Sequence, residues 1–127
     1  MVAWFEIPVI DMDRAIAFYE KVFNISLQRQ QMGIEEMAFF PFDGEKKGAI
    51  SGALIKNEKF YKPSDNKGVM IYFESLEGDL AKELSRVEAA GGKVLQEKKL
   101  INEQVGCMGL FLDTEGNRMA MYHNITK

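Results

Sequence analysis

The sequence predicts an α+β fold made of two tandem β-α-β-β-β modules, and three observations predict it. Strand-like alternation and helical periodicity occur in the same order twice, before about residue 56 and after about residue 68. Ala15, Tyr19 and Val22 of the first helical stretch map onto Leu80, Leu84 and Val87 of the second at a shift of 65 residues. Between the repeats lies Lys62-Pro63-Ser64-Asp65-Asn66-Lys67-Gly68, turn chemistry without periodicity. The 127 residues suit one domain, and neither module alone would cover both faces of its sheet. Residues 1–127 therefore read as a single domain: module one over about 1–56, a linker over about 57–67, module two over about 68–127.

Each element has its own signal. Residues 2–9 alternate, with Phe5, Ile7 and Val9 on one face and Trp4, Glu6 and Pro8 on the other. Asp11 is a helix N-cap, because its carboxylate accepts a free backbone N–H. Met12, Ala15, Ile16, Tyr19, Val22 and Phe23 then recur at helical spacing to about Asn24. Strands are expected over about 25–31, 36–42 and 49–55, with Asp43-Gly44-Glu45-Lys46-Lys47-Gly48 as the last hairpin turn. In the second repeat, Val69, Ile71 and Phe73 alternate with Met70, Tyr72 and Glu74. Leu80, Leu84 and Val87 mark a helix that Gly91-Gly92 stops. Strands follow over about 93–99, 104–112 and 118–123, the last two joined by Asp113-Thr114-Glu115-Gly116-Asn117.

Composition excludes several function classes. The single cysteine, Cys107, rules out an internal disulfide framework and a cysteine-rich zinc site. The single histidine, His123, rules out a site built from two histidines of one chain. A net charge of −3 argues against nucleic acid, whose phosphates need a basic stripe. No apolar run approaches the roughly 20 residues of a membrane span, and the N-terminus lacks signal-peptide character. The expectation is a soluble, reduced, cytoplasmic protein without nucleic-acid or membrane partners. The runs Glu45-Lys46-Lys47 and Glu97-Lys98-Lys99 have mixed sign and read as solvated turns.

Three phrases carry a resemblance: Phe5-Glu6-Ile7-Pro8-Val9-Ile10-Asp11 continuing to Tyr19, Val87-Glu88-Ala89-Ala90-Gly91-Gly92-Lys93-Val94, and Phe111-Leu112-Asp113-Thr114-Glu115-Gly116-Asn117-Arg118. In this order, with the duplication, the chain resembles the vicinal oxygen chelate superfamily of glyoxalase I, bleomycin-resistance proteins and extradiol dioxygenases. Thr114 stands where proline is usual in the family's turn. The resemblance implies an eight-stranded, half-open curled barrel whose concave face holds a ligand, and a homodimer.

Metal-dependent members of that superfamily place His, Gln or Glu on the inner faces of four strands, where a divalent ion polarises two substrate oxygens. By resemblance those positions fall on Trp4, Met70 (give or take one residue) and Ala120. The fourth-strand stretch Ala49-Ile50-Ser51-Gly52-Ala53-Leu54 offers only a serine hydroxyl. Indole, thioether and methyl groups do not make a divalent site, so no metal and no other cofactor is expected. His123 alternates with Ala120 and Tyr122 and reads as a surface or helix-facing residue. Cys107, between Gly106 and Met108-Gly109, reads as a small buried hydrophobe, the glycines marking close backbone approach or a bulge.

Glu6 and Glu74 are the catalytic candidates, since a carboxylate against an aromatic wall can act as general acid or base. The plainer reading leaves them solvated or in structural hydrogen bonds. Met37, Met70, Met108, Met119 and Met121 all lie in predicted strands, mostly as core. The ligand-binding set is Trp4, Glu6, Met70, Tyr72, Ala120 and Tyr122, a wall for a small apolar or aromatic molecule with Glu6 orienting its polar group. Phe60 and Tyr61 close the mouth or meet a partner subunit. Three functions are compatible: a metal-free binding protein of the bleomycin-resistance kind, a glyoxalase-like lyase or isomerase using carboxylates or a non-standard metal site, and an interaction module.

Overall fold

The first apolar stripe shows why the chain folds as it does. In the computed structural model, which describes residues 2–42 and 50–125, strand β1 (Trp4–Pro8) leads into helix α1 (Met12–Phe23). The Asp11 carboxylate accepts from the Arg14 N–H, as an N-cap should, and Asn24 closes the helix in the left-handed conformation. The buried stripe is Met12, Ala15, Phe18, Tyr19, Val22 and Phe23, while Ile16 is half-buried. Phe18 therefore takes a core position that the expected stripe left to Ile16. Its ring meets Tyr19 and Phe111, so it reaches across to the second module.

The remaining elements are β2 (Gln28–Met32), β3 (Glu35–Phe39), β4 (Ser51–Lys56), β5 (Tyr72–Glu74), α2 (Leu80–Leu84), β6 (Lys93–Asn102), β7 (Gly106–Leu112) and β8 (Arg118–His123). They form two four-stranded sheets, ordered β1-β4-β3-β2 and β5-β8-β7-β6. This is the mixed α+β, twice-repeated β-α-β-β-β architecture with open, curled sheets. In each sheet one edge pairing is parallel, β1 with β4 and β5 with β8, and the other pairings are antiparallel. Helix α1 packs on β3 and β4 and helix α2 on β6, β7 and β8, and one aromatic core joins the two modules. Phe5 and Phe73 meet there edge-on at 6.0 Å between centroids.

Several expectations shift. The two N-caps, Asp11 and Asp79, and the edge-strand words Trp4-Phe5-Glu6 and Tyr72-Phe73-Glu74 are related by 68 residues rather than 65. A slip of three is almost one helical turn, so an apolar stripe looks the same at either offset. Val69, Met70 and Ile71 are not part of β5, so Met70 is not a strand residue. At that end of β8 the Arg118 N–H donates to Ser64 O, so the linker takes the ladder partner that an earlier strand start would need. Helix α2 is only Leu80–Leu84; beyond it Arg86 and Val87 donate to carbonyls three residues back, a tighter winding. The expected hairpin turn over 43–48 lies outside the described residues.

One turn binds the modules. The buried Asp113 carboxylate accepts from Tyr19 Oη at 2.7 Å, from the backbone N–H groups of Glu115 and Asn117, and from Asn117 Nδ2. Asn117 Nδ2 also donates to Pro8 O at 2.7 Å, and Ser64 N donates to Asn117 Oδ1. Glu115 Oε1 accepts from the N–H groups of Ile10 and Asp11, and Arg14 adds two bonds to the same carboxylate. Burial acts to raise the Glu115 carboxyl, but the Arg14, Asp11 and Ile10 bonds outweigh it and hold it at about 2. Burial raises Asp113, partly offset by its donors, and burial beside Asp113 raises Tyr19 well above the ordinary phenol range.

His123 is buried and faces the helix side: its Nδ1 accepts from Leu80 N at 3.0 Å and so caps the start of α2. Cys107, its register partner, is also buried. The neighbouring glycines are close approaches. A Cβ on Gly109 would sit 2.5 Å from Leu84, and one on Gly106, whose φ is +117°, would sit 2.3 Å from His123 O.

Two stability predictions follow from these contacts. Glu115→Gln is expected to cost about 2–3 kcal/mol near neutral pH. Because the folded carboxyl lies below its unfolded value, its stabilisation holds above about 4.5 and fades as the pH falls towards about 2. Urea titrations of wild type and variant should converge across that window; a gap that stays constant would contradict the assignment. His123→Phe leaves the buried Leu80 N–H without an acceptor and is expected to cost about 1–3 kcal/mol by the same titration.

Candidate cleft between the two facing edge strands

Strands β1 and β5 are the facing edges of the two sheets, and among the described residues no ladder joins them. A cleft of about 1140 Å³ opens between them. Strand alternation turns Trp4 and Glu6 away from the core that Phe5 and Ile7 join. On β5 the same logic presents Tyr72 and Glu74 while Phe73 is packed on the core. Trp4, Glu6, Met70, Tyr72 and Glu74 all line the cleft. Linker residues complete it, among them Lys62, Asp65 and Val69, with Arg118 from β8.

Glu6 is already engaged. Its Oε1 accepts from Tyr61 Oη at 2.6 Å, and its Oε2 lies 3.4 Å from Trp4 Nε1 as an acceptor. The bond to Glu6 is the main reason the Tyr61 phenol is pushed up to about 12, with burial and the Glu6 and Glu35 charges adding to it. Tyr61 is thus a hydrogen donor across the ordinary pH range. Its ring lies on Met37, Phe39, Ala53 and Ile55, the inner face of the first sheet. The linker therefore covers part of the first sheet's inner face with its own side chain, while Phe60 points out to solvent. Glu74 is exposed, and no described residue gives it a hydrogen bond or ion pair.

The cleft does not gather the whole expected binding set. Ala120 and Tyr122 share a sheet face with Tyr72 and Glu74 through the β5–β8 register, yet neither lines the cleft. Ala120 is fully covered by its neighbours. Tyr122 sends its hydroxyl to Val105 O, towards the β6–β7 loop. The linker residues Lys62 and Asp65 were not foreseen, because a segment without periodicity gives no facing direction. Only their place beside a proline and a glycine marked them as a loop.

The register shows which residues of β4 and β8 stand opposite the aromatic residues of β1 and β5. Trp4 pairs with Ser51 on β4, and Tyr72 pairs with Ala120 on β8. The 68-residue equivalence puts Tyr72, rather than Met70, in the place of Trp4. Ser51 Oγ already donates to Phe40 O at 3.1 Å. Indole, hydroxyl, phenol and methyl groups do not fit a divalent ion of the kind metal-dependent relatives use. Among the described residues no helix is long and apolar enough to cross a membrane.

Comparison with known proteins agrees with this architecture. No curated protein sequence matches the chain. A glyoxalase-related enzyme from Fulvimarina pelagi superposes with a TM-score of 0.72 at 16% identity, over 98% of this chain and 88% of that one. A glyoxylase/bleomycin resistance protein/dioxygenase domain from Frankia sp. EAN1pec gives 0.73 at 17% identity, over 98% and 97%. Glyoxalase I from Zea mays gives 0.68 at 20% identity; the match covers 95% of this chain but 43% of the maize enzyme. At these identities the likeness is one of fold. The model of the Glyoxalase/Bleomycin resistance protein/Dioxygenase superfamily matches residues 2–121, nearly the whole sequence. With its duplicated modules and its cleft between β1 and β5, the chain belongs to that superfamily.

Proposed function

We propose that this chain is a metal-free binding protein of the glyoxalase/bleomycin-resistance type that holds a small apolar or aromatic molecule in the cleft, as a cytoplasmic homodimer. The observation that carries the reading is the lining itself: Trp4, Met70 and Tyr72 on a cleft of about 1140 Å³. An aromatic and thioether wall suits a flat apolar ligand, and methionine adapts to its outline. The four family positions, read as Trp4, Ser51, Tyr72 and Ala120, add no donor set for a divalent ion. The exposed rim residues Val69 and Leu76 support a second copy as the neighbour of the cleft mouth.

Trp4 is the only tryptophan, so its emission reports the cleft directly. A panel of flat aromatic and apolar compounds is expected to quench or shift it saturably. Tyr72→Ala and Met70→Ala should each weaken the best ligand about fivefold to tenfold, from the lost apolar contact. A panel that leaves the emission unchanged and gives no heat by calorimetry would sink the reading.

One observation favours a second reading, a glyoxalase-like lyase or isomerase. The Tyr61 hydroxyl on Glu6 is a donor–carboxylate pair whose carboxylate lines the cleft, an arrangement able to hand a proton to a bound substrate. If that reading holds, a Glu6→Gln, Glu74→Gln double variant loses turnover on any substrate the protein converts. Unchanged turnover removes these carboxylates as catalysts.

A further inference from the structure

The two modules set the same three-residue word at the same place: Trp4-Phe5-Glu6 on β1 and Tyr72-Phe73-Glu74 on β5. In each the phenylalanine enters the core and the flanking aromatic and glutamate line the cleft. The two copies differ in what meets the carboxylate. Glu6 is met from within the chain by a donor-bearing aromatic side chain, Tyr61, at 2.6 Å. That ring rests partly on Ala53, the register partner of Glu6. In the second module the register partner of Glu74 is Tyr122, and its hydroxyl is committed to Val105 O. Among the described residues no donor reaches Glu74, although it stands on the same cleft beside Tyr72.

We infer that the second half of the cleft, built on Tyr72 and Glu74, anchors a protonated amine, so that the ligand is a small organic cation with an aromatic or apolar body. This rests on the binding-protein reading and names the chemistry of its ligand. The Glu6–Tyr61 contact shows the geometry that an occupant of this word adopts, a ring along the sheet and a hydrogen donor on the carboxylate. At Glu74 an ammonium gains more than a neutral donor does. Its bond to the carboxylate is charge-assisted, and the ring of Tyr72, two residues away on the same strand, attracts a cation. The lining also holds two cations. Lys62 is accompanied on the linker by Asp65. Arg118 lies four residues back along β8 from Tyr122, roughly 13 Å at the usual strand rise. Neither forms an ion pair with Glu74.

The test is a matched trio of probes titrated calorimetrically into the full chain: 1-naphthylmethylamine, 1-naphthylmethanol and 1-naphthoate. The amine is expected to bind about threefold to tenfold more tightly than the alcohol, with naphthoate weakest and the preference reduced by salt. Glu74→Gln should erase the preference for the amine, bringing its affinity down to the range of the alcohol's, while an unchanged urea midpoint shows that the variant is folded. Glu74→Lys should turn the preference towards naphthoate. If all three bind without an amine preference, or the preference survives Glu74→Gln, this inference is overturned and the binding-protein reading stands. If none of the three binds, both fall.

Discussion

The structure depends on a single buried carboxylate. Asp113 holds the β7–β8 turn rigid through its own backbone N–H groups and, in the same bond set, fixes Tyr19 of the opposite module. Tyr19 is also the ring around which Phe18, Phe23, Phe40 and Phe73 gather. One carboxyl group thus sets both the polar tie and the aromatic core. With Asp113 in place, Asn117 grips Pro8 and Ser64, and Glu115 grips the entry to α1. Pro8 ends β1 and Ser64 belongs to the linker, so the turn orients both walls that meet at Glu6. The cleft is a consequence of this tie rather than of the sheets alone.

The fold was legible because its signals are redundant. Asp11 before an apolar stripe, Gly91-Gly92 after one, and the Asp113–Asn117 turn each specify local geometry by residue type. Offsets were less legible. Apolar periodicity tolerates a slip of three residues, and only the caps and the paired words Trp4-Phe5-Glu6 and Tyr72-Phe73-Glu74 separate 65 from 68. The short β5 was hidden for another reason. Residues 69–71 alternate like a strand, but β8 has already given the neighbouring backbone bond to Ser64.

The site was half legible. Alternation placed Trp4, Glu6, Tyr72 and Glu74 on cleft-lining faces, because strand period fixes direction. It could not tell which of the residues sharing a face meet open space. Ala120 and Tyr122 share the face of Tyr72, yet one is covered and the other turned to Val105. Nor does any pattern in Phe60-Tyr61 reveal that one ring is half-buried on the first sheet and the other exposed. That outcome is set by a hydroxyl finding Glu6 across 55 residues, a tertiary contact with no local signature.

The tie between modules spans nearly the whole chain: Tyr19 meets Asp113 across 94 residues, and Pro8 meets Asn117 across 109. Such contacts give a high contact order, and loop closure must be met before they reward the chain. During synthesis the first sheet and α1 emerge long before the turn that completes them. Until then Phe18, Phe23 and Phe40 have no second-module partner, and the exposed aromatic face is open to wrong associations. The folding of this chain is therefore expected to be slow, late and governed by its last quarter, whatever the stability of the finished molecule.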